Sequence, residues 1–154
     1  MKTISVCLRV VAVASVALFS PLWATAALAQ NQHNSFPGGI GVGNPCNATG
    51  VSLTGPVKIV VQTNTEPDQP VVSVHLTFKG EGSATNGDAY RMSYMASKNF
   101  DAVSSTYDLP VHAVFVGKGK APNFSAAGTI RVYVNADGFP VGAGITAFSS
   151  SCTQ

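Results

Sequence analysis

Charge is scarce in this chain: Asp, Glu, Lys and Arg together make up 10% of its 154 residues, and the formal net charge is only +2. Even that small excess belongs to one end, because Lys2 and Arg9 both lie within residues 1–29. Setting them aside from the nine basic residues leaves seven, against seven acidic ones. A neutral body with only Arg91 and Arg131 as arginines lacks the electrostatic footprint of a nucleic-acid binder, so no nucleic-acid partner is expected. Long hydrophobic runs are missing too. The apolar stretch at residues 10–18, bracketed by Arg9 and Pro21, falls well short of the ~20 residues a membrane-spanning helix needs. The single tryptophan, Trp23, sits in the same N-terminal segment, so the rest of the chain has no indole platform for stacking sugars or bases.

What that segment does contain is the layout of a secretory signal: positive charge at Lys2 and Arg9, an apolar run, then small residues. The expected cleavage site is Ala27-Leu28-Ala29, with Ala24-Thr25-Ala26 as the alternative, giving residues 1–29 as signal peptide and no transmembrane anchor after cleavage. The predicted localisation is therefore secreted or periplasmic. Cys7 precedes the apolar run, where a lipidated cysteine would follow it, and it leaves with the signal.

Of three cysteines, only Cys46 and Cys152 then remain. An exported chain meets oxidising conditions, neither residue sits in a C-x-x-C pair, and only one intramolecular pairing exists, so a Cys46–Cys152 disulfide is expected. It would close a loop of about a hundred residues, for which loop-closure entropy gives roughly 4 to 5 kcal/mol.

Residues 30–45 are rich in Gly, Asn and Ser and read as a flexible leader. Residues 46–154 form one expected β-domain. Apolar and polar residues alternate there with period two, clearest where Val72, Val74, Leu76 and Phe78 oppose Ser73, His75, Thr77 and Lys79. Asn86-Gly87 and Asp137-Gly138 mark hairpins, residues 103–107 and 111–118 read as separate segments, and no stretch has helical periodicity. The expected fold is all-β, an antiparallel meander of about seven to eight strands, barrel-like or a sandwich.

Asn44-Pro45-Cys46, followed by Val51-Ser52-Leu53-Thr54-Gly55 and a near-terminal Cys152, resembles a group of uncharacterised secreted bacterial β-rich proteins. The likeness extends through His75-x-x-Phe78, Gly87-x-x-Tyr90, Gly117-x-Gly119 and Val134-Asn135-Ala136-Asp137-Gly138, and so covers nearly all of the β-domain. It implies a secreted β-architecture and assigns no catalytic residue.

The search for chemistry returns little. The acidic residues all fall in or beside expected turns, no G-x-S-x-G elbow occurs, and Gly117-Lys118-Gly119-Lys120 lacks the spacing of a phosphate loop. Asn47-Ala48-Thr49 and Asn123-Phe124-Ser125 match the N-glycosylation pattern, read here as chance in a bacterial-type chain. No metal site, cofactor or catalytic residue is expected. His75 and His112 stand singly, and would converge only if their strands were neighbours. A barrel interior offers the remaining clue: His75, Tyr90, Tyr94, His112 and Phe115 are the candidate pocket residues. The expectation is a non-enzymatic domain binding a small apolar ligand or a macromolecular partner. The alternatives are a small β-barrel enzyme of cyclase or isomerase type and a structural, envelope-associated interaction protein.

Overall fold

The computed structural model of the protein describes residues 30–64 and 71–153; the expected signal peptide lies outside them. Seven antiparallel strands follow one another in a single sheet whose spatial order is their chain order. They are β1 (Gln30–Asn44), β2 (Thr49–Asn64), β3 (Val71–Ala84), β4 (Ala89–Phe100), β5 (Thr106–Gly117), β6 (Phe124–Val134) and β7 (Pro140–Cys152). Among the described residues there is no helix. The sheet curls into a half-barrel around one apolar interior, so the all-β meander holds and the sandwich alternative does not.

The period-two pattern sets which side chains turn inward. On β3, Val72, Val74, Leu76 and Phe78 are buried while Ser73, His75 and Thr77 occupy the other face; on β5, Tyr107, Leu109, Val111, Ala113 and Phe115 are buried in the same way. Near the Cys46 end the interior is solid. Phe115 and Phe124 stack with centroids 4.5 Å apart, Tyr90 meets Phe124 edge-on at 5.7 Å, and Leu53 is fully buried beside them.

The expected flexible leader is corrected by the structure. Residues 30–44 form a fifteen-residue strand, paired with β2 from Gln30↔Thr63 to Asn44↔Thr49. Its many glycines lack side chains but keep their backbone hydrogen-bonding groups, and the ladder to β2 engages those on one edge of the strand along its length. The inward signal was present but diluted: Phe36, Ile40 and Val42 pack against the core with Gly38 between them. A second correction concerns residues 103–118, where the two expected segments are one strand, β5, and Val103 is exposed outside it. Pro110 is tolerated within β5 because β4 pairs with β5 only from Tyr90↔Gly117 to Met92↔Phe115, beyond which no ladder bond needs its missing N–H. Asp108 and Glu81, expected in or beside turns, are both strand residues.

Curvature requires places where strands approach closely. At Gly55 on β2 a Cβ would fall within 1.8 Å of the Lys79 carbonyl oxygen and 3.1 Å of the Gly80 Cα. The β2–β3 pairing is interrupted there, between Thr54↔Glu81 and Val57↔Phe78, and Pro56 has no N–H to contribute. On the far side, irregularities between Thr129 and Ile130 and between Tyr133 and Val134 bend β6 against β7. Both marked hairpins form, with Gly87 at φ 89° and Gly138 at φ 76°.

Candidate functional site

An odd number of strands in an antiparallel meander leaves the first and last running in the same direction. β1 and β7 therefore meet as parallel edges, and the pairings among the described residues include no backbone ladder between them. Side chains hold this seam instead. At one end Asn34 Nδ2 donates to the Pro140 carbonyl at 2.9 Å. At the other, Ser150 Oγ donates to the Gly43 carbonyl at 2.8 Å, and just beyond it Cys46 and Cys152 are joined by a disulfide with their Cα atoms 5.3 Å apart.

Between the two pins the seam opens into a pocket of about 340 Å³. Its mouth is formed by Phe36 to Gly41 of β1 and by Ala143, Gly144, Ile145 and Phe148 of β7; its floor by Leu76, Phe78, Met92, Tyr94, Val111 and Ala113. Small side chains help to leave the space open, since Ala113 and Ala143 stand in its lining; at Gly38 an added Cβ would meet the Val57 side chain, and at Gly144 it would face the Tyr133 ring. Among the described residues no charged side chain lines it, and Tyr94 carries the only polar side-chain group.

Tyr94 Oη donates to the Pro110 carbonyl at 2.7 Å. This bond spans the gap where β5 has left β4 and satisfies an acceptor that the ladder no longer reaches. Burial pushes the Tyr94 phenol up to about 12, because an anion there would lose its water.

The other candidate residues are distributed differently. Tyr90 is fully buried in the packed end, where Asn44 Nδ2 donates to its hydroxyl at 2.9 Å and the hydroxyl donates to the Pro122 carbonyl at 3.2 Å. Phe115 is core, stacked on Phe124. His75 lies opposite Ser97 and Val60, and His112 opposite Ala127, both alternating with buried neighbours and so facing away from the interior. β4 stands between their strands, so they are not neighbours. Of the five, the pocket brings in Tyr94 alone.

Phe36, Ile40 and Ile145 were missed, whereas Phe148 belongs to the set of strand-borne aromatics expected to fill or line the interior. The first two were hidden in a glycine-rich stretch, and the expected disulfide tied the ends together without showing that β7 runs beside β1 along its length. The described residues hold no group of three or more metal-ligating side chains. Elsewhere, Arg131 makes a paired contact with Asp108, Nε to Oδ1 at 2.7 Å and Nη2 to Oδ2 at 2.8 Å, which holds the Asp108 carboxyl below its usual range. Asn123 and Asn47 both serve local turns: Asn123 Oδ1 accepts from the Gly117 N–H at 2.9 Å, and Asn47 Oδ1 accepts from the Thr49 hydroxyl at 2.6 Å. Comparison of the chain with protein-family models, with curated proteins and with solved structures finds no match.

Proposed function

We propose that this is an exported, non-enzymatic β-domain that binds a small apolar molecule in the pocket between β1 and β7. The observation that carries the reading is the uncharged lining of that pocket in the middle of an otherwise packed barrel. An apolar surface of this shape gains by excluding water from both itself and its occupant, at roughly 25 cal/mol per Å² removed from solvent. The Cys46–Cys152 bond fits an oxidising compartment, as does a signal peptide at residues 1–29. The enzyme alternative relied on His75 or His112 reaching the interior, and both lie on the outer face.

Native mass spectrometry of protein purified from its source tests the reading directly, with a co-purifying neutral molecule as the expected result. A second test is titration with 1-aminoanthracene, followed by fluorescence. Binding is expected in the native protein and at least tenfold weaker binding in Ala143→Phe, which fills the pocket. Equal binding by the two proteins would place the probe elsewhere and remove the support for a carrier.

A further inference from the structure

Gly38, Gly39, Gly41 and Gly144 belong to the lining of the pocket, and a glycine can line a cavity only with backbone atoms. On β1 the seam itself shows which way those atoms point. The Gly43 carbonyl accepts from Ser150 of β7 at 2.8 Å, while Gly50, opposite it on β2, turns its carbonyl the other way to accept from the Thr85 N–H at 2.8 Å. Gly43 therefore faces β7. The β1–β2 register runs without a shift and backbone direction alternates along a strand, so Gly41 and Gly39 face β7 as well. Pro37, next in that series, lies opposite Pro56, where the ladder asks for no N–H. Gly39 and Gly41 are exposed, and the pairings among the described residues give their seam-facing groups no strand partner.

The pocket mouth thus presents a donor, the Gly41 N–H, and an acceptor, the Gly39 carbonyl, on either side of Ile40, which packs towards the core. A residue laid antiparallel and opposite Ile40 meets this pair with its two flanking peptide groups. The carbonyl before it accepts from Gly41, the N–H after it donates to Gly39, and its side chain points into the pocket. β7 runs in the same direction as β1, so such a unit is antiparallel to both strands. Among the described residues no charged side chain lines the pocket, so a charged end would give up its hydration with nothing to replace it. The Asn34–Pro140 and Ser150–Gly43 contacts close the opening at both ends and limit its occupant to a short one.

Resting on the reading of the pocket as a ligand site, we propose that its ligand is a small, uncharged, extended amino-acid unit with a bulky apolar side chain, acylated at one end and amidated at the other. The apolar group fills the pocket, and the two amides pair with the Gly41 N–H and the Gly39 carbonyl.

N-acetyl-phenylalanine N-methylamide is the smallest probe with all these features. The corresponding methyl ester lacks the donor to Gly39, naphthalene lacks both amides, and N-acetyl-phenylalanine carries a charge. Affinities are measured by calorimetry on the disulfide-bonded protein and on two variants. Gly41→Pro removes the seam-facing N–H and no bond to β2, whereas Gly41→Ala keeps it and adds a methyl that meets nothing within 4 Å. The native protein is expected to prefer the amide over the ester by about tenfold, the scale of one sheltered hydrogen bond, and to bind the free acid weakest. Gly41→Pro should weaken amide binding by about tenfold and leave naphthalene binding within about twofold; Gly41→Ala should change neither. Equal binding of amide and ester by the native protein overturns the pairing and leaves the apolar pocket standing, as does amide binding that survives Gly41→Pro. Binding of none of these compounds overturns both. A pentapeptide with phenylalanine between two pairs of alanines should gain nothing over the single unit, and tighter binding by it would overturn the small ligand in favour of a segment of a longer chain. The native-protein comparisons decide the question even if Gly41→Pro does not fold.

Discussion

Asn34 and Pro140 join the two ends of the sheet: the Asn34 amide donates to the Pro140 carbonyl at 2.9 Å across a seam that has no backbone ladder. The same Asn34 also accepts from the Ser35 N–H through its Oδ1, so its side chain is held in place for the crossing. Pro140 suits this edge because a residue without an N–H forfeits no ladder bond there.

Removing this pin should loosen one end of the pocket and spare the other. Asn34→Ala is expected to cost about 1 kcal/mol, and to raise amide hydrogen exchange in the first half of β1 while the segment near Cys46 stays protected. Unchanged exchange at residues 31–38 would show that the β1–β2 ladder alone holds the strand.

The other pin is covalent. The Cys46–Cys152 bond spans a sequence separation of 106. A loop of that size removes enough denatured-state entropy that Cys46→Ser paired with Cys152→Ser should lower unfolding stability by about 4 to 5 kcal/mol in a urea titration. A loss below 1 kcal/mol would mean that the non-covalent seam contacts and the β-core carry the closure.

Gly55 tests the curvature. A methyl group there would meet the Lys79 carbonyl oxygen, a backbone atom that cannot rotate away. Gly55→Ala is expected to destabilise the protein by about 3 kcal/mol, seen as a lower denaturation midpoint, since overpacking costs of this kind move strands and not just rotamers. Gly41→Ala is the control: no atom lies within 4 Å of its added methyl, and its effect should be small.

Stability should depend on pH at both extremes. Tyr94 has its folded value raised to about 12, so its contribution is complete below pH ~10 and is lost as pH rises towards 12. Tyr94→Phe should flatten the alkaline limb of a melting-temperature profile. Asp108 is shifted the other way, first by its hydrogen bond to Arg131, so its contribution is present above pH ~4 and lost on further acidification. Asp108→Asn should flatten the acid limb. Parallel limbs in variant and native protein would remove these two groups as the cause.

Period-two alternation determined most of the fold by itself. Val72 to Phe78, Tyr90 to Tyr94 and Ile130 to Val134 are readable as one-sided strands because a pleated chain places every second side chain on one face. The Gly87 and Gly138 hairpins were equally legible, since each needs a positive φ that glycine adopts without strain. The disulfide followed from counting, as two cysteines allow one bridge. β1 was not legible in this way. Glycine carries no inward or outward signal, so a strand with Gly38, Gly39, Gly41 and Gly43 resembles a linker until a partner strand is placed beside it.

The pocket lay further beyond reach. Alternation says that Tyr90, Tyr94 and Phe115 face inward, but whether an inward residue fills space or borders it depends on the side chains across the barrel, contributed by strands far apart in the chain. Tyr90 and Phe115 meet Phe124 and are core; Tyr94 shares a pocket lining with Gly38, Ala113 and Ala143 and borders a cavity. The sequence by itself determined a neutral β-meander with a disulfide joining its ends, because those are local patterns and counts. Only the tertiary structure decided that seven strands curl until β1 and β7 face each other in parallel, unladdered, with an apolar opening between them.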